Sequence, residues 1–469
     1  MPKITNDLLV SRFLRQYGDD LLFVVNEDRV YRYNEGVYTL LDRADLSRLV
    51  YSFVLKQKDA ASALIEHPED EEVAATFNVT ANLVKSLVEE IKFSLTRRAY
   101  EPLGNFITFA DNTVLDLDGF LRGNSLETSL IPWSRSTLSF FKLEGVTSLD
   151  VTSQDCPAFT AFLQDVLVTS EDDFTPDPDL IDFMQQLLGY ILLPTLKAEA
   201  AFFLVGTTAA NGKSILLHII HELIGKEYVS ALPLSALTSS RFSLPYLIGK
   251  KLNMKGEEEA KFLTGELFKQ LISGDPVTGE VKFGEQVTFI NRAKFLFATN
   301  DVPTFKQLDA GILRRLFFIP FFRSFRDDPN AKDRDVLITA ILAERPGIIR
   351  FALVGAQKLM RNNFRFVRTS SMLTMNEEFE TASSSALAFI KEHYQITGNH
   401  NDIIWSSTLY DAYTEWCEKN GHSAQAHVRF SKELTDCYKR QGLGSARAYD
   451  SFNKKQIRTR TGIRSLADT

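Results

Sequence analysis

Residues 201–224 read AFFLVGTTAANGKSILLHIIHELI, and this stretch decides the fold. It opens on Phe202-Phe203-Leu204-Val205, an apolar run of strand length and strand composition. Small residues follow, Gly206-Thr207-Thr208-Ala209-Ala210-Asn211-Gly212, then Lys213 and Ser214. An amphipathic run from Ile215 to Ile224 closes at Gly225. Strand, glycine-bounded loop, Lys-Ser and helix is the layout of a loop that cradles nucleotide phosphates. Backbone N–H groups of small residues can wrap phosphate oxygens, and a helix N-terminus adds its positive dipole end. The spelling departs from G-x-x-x-x-G-K-[ST]: Thr207 holds the first glycine position and Gly206 stands one residue early. Taken alone, the stretch also reads as a plain strand–turn–helix joint.

A chain of 469 residues suggests about three domains. With 44% hydrophobic and 24% charged residues it can bury real cores. The net charge of -7 excludes a bulk nucleic-acid coat protein, so any DNA contact must be local. Cys156, Cys417 and Cys437 are scattered without metal spacing, which fits a reduced, cytoplasmic setting. The opening MPKITNDLLVSRF lacks a charged segment followed by an apolar core, and no apolar run reaches spanning length. Neither secretion nor a membrane is expected.

Upstream of the loop, residues 1–150 read as mixed α/β. Leu21–Val25 and Val30–Tyr33 form a hairpin, Gly36–Leu40 extends it, and helices cover Asp45–Leu55 and Thr80–Leu95, with Thr80 as N-cap. The acidic run EHPEDEE (residues 66–72) reads as a solvated connection. Phe106–Phe109 and Thr113–Leu117 make a second hairpin, with Asp116 and Asp118 in a turn role. Two helices fill residues 156–193, separated by the exposed break TSEDDFTPDPD.

Downstream, the run Gly249–Glu259, GKKLNMKGEEE, holds a short apolar strand that Asn253 and Lys255 interrupt and that ends in Glu257-Glu258-Glu259. An ATPase places its metal-organising acid and water-polarising base after such a strand, although a triple Glu is also a common solvated run. A helix over Gly265–Ile272 and the turn Ser273-Gly274-Asp275-Pro276 lead into a hairpin over Val277–Phe289, with Lys282 and Phe283 near Gly284-Glu285. The strand KFLFAT, residues 294–299, ends on Asn300, whose amide could orient an attacking water. Arg314 and Arg315 precede the strand Phe317–Phe321. Such a pair is a salt-bridged surface feature or, in a ring ATPase, a source of an arginine finger.

At the C-terminus, helices are expected over Ala386–Tyr394, Thr408–Lys419 and Arg429–Tyr438. Gly442–Arg447 reads as a loop, and Ser451–Ile463 alternates like a wing hairpin. From His427 onward ten Lys/Arg face four Asp/Glu, a basic segment in an acidic protein.

NGKS, GEEE, KQLISGDP, a hairpin, FATN and DAGILRRLFFIPF occur in that order. The set resembles the superfamily 3 helicases, in their phage, plasmid and poxvirus primase-helicase branch. The likeness is firm from Leu187 to Phe321 and looser on either side. It implies an α/β, AAA+-like P-loop core with a central parallel sheet. The implied domains are a mixed α/β helicase-associated domain over 1–150, a helical collar plus core over 151–360, and a winged-helix-like domain over 361–469. By resemblance, residues 206–214 hold ATP, with Lys213 on the β/γ-phosphates and Ser214 and Glu257 on Mg²⁺. Glu258 or Glu259 is the catalytic partner, Asn300 the polar sensor, and Arg314 or Arg315 the finger offered to a neighbouring subunit. Lys282 and Phe283 would track single-stranded DNA in the channel. Lys454, Lys455, Arg458 and Arg460 would contact duplex phosphates.

The implied activity is an ATP-dependent DNA helicase, a homohexameric ring acting on single-stranded and forked DNA. A separate primase or replication initiator is a further expected partner. The main alternative is an ATP-switched origin-binding initiator or helicase loader without motor activity. A bifunctional primase-helicase ranks lower, because residues 1–150 show no primase carboxylate set.

Overall fold

A computed structural model describes residues 5–62, 78–95, 97–98, 106–206, 208–256, 266–280, 286–300, 310–329, 331–450 and 455–468. The acidic run 66–72, Thr207, Glu257–Glu259, the hairpin tip with Lys282 and Phe283, and Lys454 lie outside the described residues.

Five strands build the central sheet: β1 (Ala201–Val205), β2 (Val229–Ser230), β3 (Leu252–Lys255), β4 (Lys294–Thr299) and β5 (Leu316–Pro320). They run parallel in the order β5-β1-β4-β3-β2. Every residue of β1, β4 and β5 is buried, which is why these strands read as continuous apolar runs. Alternate side chains feed two cores. Phe202, Leu204, Leu296 and Phe317 face one, and Phe203, Val205, Phe295 and Phe318 face the other.

Helix α1 (Lys213–Ile224) covers the first face together with helices Pro178–Leu192 and Arg345–Arg361. The last two touch backbone to backbone: a Cβ on Gly189 would sit 2.3 Å from the Ala356 nitrogen. Asp177 starts Pro178–Leu192 by accepting from the N–H groups of Asp179 and Leu180. The second face takes Phe268 and Leu271 from helix Glu266–Ser273, Val277, Val287 and Phe289 from the hairpin, and Phe379 from helix Ser370–Ser383.

Strand β3 is firmer than its sequence suggests. Asn253 is fully buried, and its Oδ1 accepts from Ser230 Oγ and Leu232 N, each at 2.9 Å. Its Nδ2 donates to Leu232 O at 2.9 Å. The amide therefore fastens β3 to the chain leaving β2 instead of interrupting the strand.

The first hairpin forms with Phe23 opposite Val30, and Val37–Leu41 extends it. Thr80 caps helix Ala81–Ser94 by accepting from Leu83 N. Strands Phe106–Thr108 and Thr113–Asp116 pair as expected, and Asp116 then N-caps the short helix Leu117–Leu121. One core ends at Leu95 and the next begins at Ile107, while helix Ser370–Ser383 still gives Met372 and Phe379 to the central cores.

A separate C-terminal core gathers Leu387, Leu409, Tyr413, Phe430, Leu434 and Ile463. Here the expected loop over Gly442–Arg447 is corrected. Gly444–Asp450 is a strand paired antiparallel with Lys455–Thr461, from Gly444↔Thr461 to Asp450↔Lys455. Ser445, Ala446 and Arg447 are all exposed, so the strand carries no apolar alternation to betray it. Among the described residues, no helix is long and apolar enough to cross a membrane.

Candidate nucleotide site

The glycine-bounded loop leaves the carboxyl end of β1, the edge of an open parallel sheet where ligands bind. Gly206 N donates to Thr299 O at 3.3 Å, so the loop begins by extending the β1–β4 pairing. Ala210 at φ +56° and Gly212 at φ +89° turn the chain back into α1. A Cβ on Gly212 would approach Val166 Cγ1 to 2.6 Å, so only glycine fits there. Asn211 is buried and donates Nδ2–H to Thr208 O at 2.6 Å, which ties the loop to itself. The loop's outer side is braced as well. Phe325 N donates to Ala210 O at 2.9 Å, and Ser324 Oγ donates to Ala209 O at 2.9 Å.

Helix α1 starts at Lys213, and no side chain caps its first turn. Lys213 is buried; its Nζ donates to Gly206 O at 2.8 Å and to Asn300 Oδ1 at 3.4 Å. Asn300 is exposed at the tip of β4, next to β1. Burial pulls the Lys213 ammonium down to about 8. Among the described residues no carboxylate pairs with it. The site thus holds a desolvated cation whose partners are a carbonyl and an amide. Gly206 sits under that cation: a Cβ there would lie 2.3 Å from Asn211 Nδ2 and 3.0 Å from Lys213 Nζ. The early glycine is needed for close packing at the loop's base.

Ser214 is exposed in the first turn of α1 and lines a cavity of about 770 Å³ with Asn211 and Gly212. Its apolar wall includes Phe162, Val166, Ile215, Phe325 and Leu337. Helix Pro157–Val166, which supplies the first two, is fixed from below by Glu344. That carboxylate accepts from Ala158 N at 2.9 Å and Phe159 N at 3.0 Å. Arg323 borders the same cavity, bonded to Asp328 at 2.8 Å with its guanidinium 4.6 Å from the Phe325 ring centroid. The sequence reading missed this wall. Its one signal is FFRSFRDD, residues 321–328, directly after β5.

The two arginines of the expected finger pair part company. Arg315 keeps 12% of its side chain exposed, and its Nη2 donates to Glu199 Oε2 at 2.5 Å and Ser273 Oγ at 3.0 Å. Its Nη1 donates to Gly311 O at 2.6 Å. Arg314 is 67% exposed and stands 3.7 Å from Glu199. Lys255, the last residue of β3, lies level with Phe297 of β4, so the chain enters the Glu257–Glu259 segment from the loop's edge of the sheet.

The hairpin strands Pro276–Glu280 and Gln286–Ile290 are paired to Glu280↔Gln286. In the wing, Arg458 is exposed, and Lys455 begins the second strand. Arg460 is corrected from a DNA contact to an internal brace. It is 5% exposed, with Nη1 donating to Thr435 Oγ1 at 2.7 Å and Nη2 to Ser431 O at 2.5 Å.

Residues 204–315 match a family of unknown function, DUF5906, and residues 385–466 match the poxvirus D5 protein-like family. Over 158 residues the chain is 27% identical to the protein named "Putative helicase L207/L206" of Acanthamoeba polyphaga mimivirus. That alignment covers 32% of this chain and 16% of the mimivirus protein. Two apo structures of the NrS-1 C-terminal region share the fold, each with a TM-score of 0.50. One is 12% identical over 97% of this chain and 98% of its own, the other 11% identical over 98% and 100%. The resemblance first carried by NGKS, FATN and DAGILRRLFFIPF is borne out as a likeness: the C-terminal match is to a poxvirus D5 protein-like family, the mimivirus relative is named a putative helicase, and the NrS-1 C-terminal region shares the fold.

Proposed function

We propose that this chain is an ATP-dependent DNA helicase of superfamily 3, a ring-forming motor that moves along single-stranded DNA in replication of a phage or mobile element. The observation that carries the reading is the placement of Lys213 Nζ between Gly206 O and Asn300 Oδ1, on the carboxyl edge of the sheet. The residues present fit a nucleoside triphosphate with Mg²⁺. Among the described residues Lys213 has no carboxylate partner, no side chain caps the α1 N-terminus, and Gly206 and Gly212 stand where a Cβ would collide. When bound, the metal nucleotide supplies a charge-shielded γ-phosphoryl group for transfer to water.

In this reading Lys213 holds the β/γ-phosphates, and Ser214 with Glu257 would hold the metal. Asn300 orients the attacking water, which Glu258 or Glu259 polarises. The apolar cavity beside Ser214 receives the base. Arg314, exposed before β5, reaches the neighbouring subunit's nucleotide, which makes the ring part of the active site. Lys282 and Phe283 grip the strand, and the basic wing meets the fork.

The test is ATP hydrolysis by the full chain with single-stranded DNA and Mg²⁺. DNA-stimulated turnover that Lys213→Ala abolishes is expected; no hydrolysis by the unaltered chain sinks the motor. The separate C-terminal core favours one competing reading, an ATP-switched initiator or loader. Unwinding of a forked substrate without another helicase excludes it.

A further inference from the structure

A second cavity, of about 490 Å³, lies where the N-terminal sheet meets the opposite edge of the central sheet. Lys251 precedes β3, Arg292 precedes β4, and Lys294 begins β4. The cavity is thus about 20 Å from the phosphate loop, the length of β4 at roughly 3.3 Å per residue.

Four cations line it: Lys250, whose Nζ donates to Glu227 O at 2.6 Å, and Lys251, Arg292 and Lys294. Lys294 is 1% exposed, and its Nζ donates to Leu193 O. Lys251 is partly buried and donates to Leu192 O at 2.8 Å. Among the described residues neither ammonium has a carboxylate within ion-pairing distance. Burial pushes both ammoniums down, Lys251 to about 7; the charge of Arg292 adds to the effect on Lys251, and those of Lys251 and Arg292 add to it on Lys294. The carboxylates at the cavity are Glu27 and the exposed rim residue Glu227. Glu27 is itself 2% exposed, accepts from Tyr31 Oη at 2.7 Å, and is raised to about 7 by burial.

A structural role accounts for part of this. Leu192 and Leu193 end helix Pro178–Leu192, and lysines at a helix C-terminus satisfy its last carbonyls. A helix end carries only about half a negative charge, however, against the two lysines. Buried like charges are costly unless an opposite charge joins them. The remaining wall mixes aromatic side chains, including Tyr31 and Phe140, with aliphatic ones such as Leu247 and Ile248, and the volume is that of a small-ligand pocket.

We infer that this cavity binds a free mononucleotide, its phosphates on Lys251, Arg292 and Lys294 and its ring against the aromatic wall. The site is separate from the loop at Lys213 and does not rest on the motor reading. Two phosphate sites on opposite edges of one sheet would let nucleotide supply act on the seam between the N-terminal region and the core.

The test uses the full chain carrying Lys213→Ala, which silences the phosphate loop, titrated with ADP by calorimetry. One equivalent of ADP is expected to bind, to be displaced by excess inorganic phosphate, and to weaken at least tenfold on adding Lys251→Met. No binding at millimolar ADP, or binding indifferent to phosphate or to Lys251→Met, overturns the proposal. A readout that needs no change in the cavity is amine acylation of Lys251 in the same Lys213→Ala chain. ADP should slow the labelling several-fold. Labelling unchanged by ADP, or slowed only by a single-stranded oligonucleotide, overturns the assignment to a free nucleotide.

Discussion

Arg315 and Glu199 form a 2.5 Å ion pair just beneath the exposed Arg314. Glu199 holds a left-handed φ of +45° in the turn before β1, so the pair anchors a strained turn. Arg315→Ala removes that anchor and its bonds to Ser273 and Gly311. A loss of about 2 kcal/mol in denaturant unfolding is expected, below the figure for a fully buried pair because Glu199 is partly exposed. Arg314→Ala should leave stability within about 0.5 kcal/mol. In the assembled ring it should keep nucleotide binding and lose hydrolysis by about 10³-fold, the range for a finger supplied in trans. If Arg314→Ala hydrolyses ATP normally, it is not the finger.

Lys213 and Asn300 share one hydrogen bond but differ in expected role. Lys213→Ala should abolish nucleotide binding at the phosphate loop, because no other buried cation among the described residues faces the loop. Asn300→Ala should leave binding nearly intact and lower turnover by roughly 10²-fold, the usual scale for a group that acts mainly in the transition state. Equal losses of binding in the two variants would mean that Asn300 only positions Lys213.

The depressed Lys213 ammonium gives a pH signature. Its folded value of about 8 lies below the ordinary 10.5, so it is charged below about pH 8 and neutral above. Nucleotide affinity should be flat below pH 8 and fall roughly tenfold per unit above it, since the bound phosphate requires the cation. The linkage to stability has the opposite sense. Between about 8 and 10.5 the unfolded chain carries a proton that the folded chain lacks, so this residue's contribution to stability rises with pH. Dissociation constants measured across this range check the first claim. Lys213→Arg, whose charge persists, should show no break at pH 8 if it binds at all.

Asn253 shows where sequence and structure part. Strands β1, β4 and β5 were legible because burial on both faces leaves uninterrupted apolar runs, and the phosphate loop was legible from local spacing. The amide of Asn253 looked like an interruption because its partners, Ser230 and Leu232, lie more than twenty residues away and leave no periodicity. The same holds for Arg315, told from Arg314 only by Glu199 more than a hundred residues upstream. It holds too for the cavity wall, whose halves come from Phe162 and Phe325. Asn253→Leu would leave the N–H and carbonyl of Leu232 unpaired. It should cost about 2–4 kcal/mol, and Asn253→Asp at least as much at neutral pH, because it buries an unpaired carboxylate against Leu232 O. Thermal unfolding of the two variants ranks them; a Leu variant as stable as the native chain would mean that water replaces the amide.

Two arginines two residues apart in the wing give the last expectation. Arg458 and Arg460 lie on the same strand, and the period of two would put both on one face. Exposure separates them: Arg458 is open, while Arg460 reaches Thr435 and Ser431 on helix His427–Tyr438. Arg460→Ala leaves a carbonyl and a hydroxyl of that helix without their donor, so it should loosen the C-terminal core. Arg458→Ala should leave the fold intact, weaken duplex binding uniformly across sequences and lower the salt slope by about 1, the mark of one lost phosphate contact. The two effects separate when binding is measured against salt below each variant's melting temperature. A salt slope unchanged in Arg458→Ala but reduced in a stably folded Arg460→Ala would place the buried arginine, and not the exposed one, on DNA.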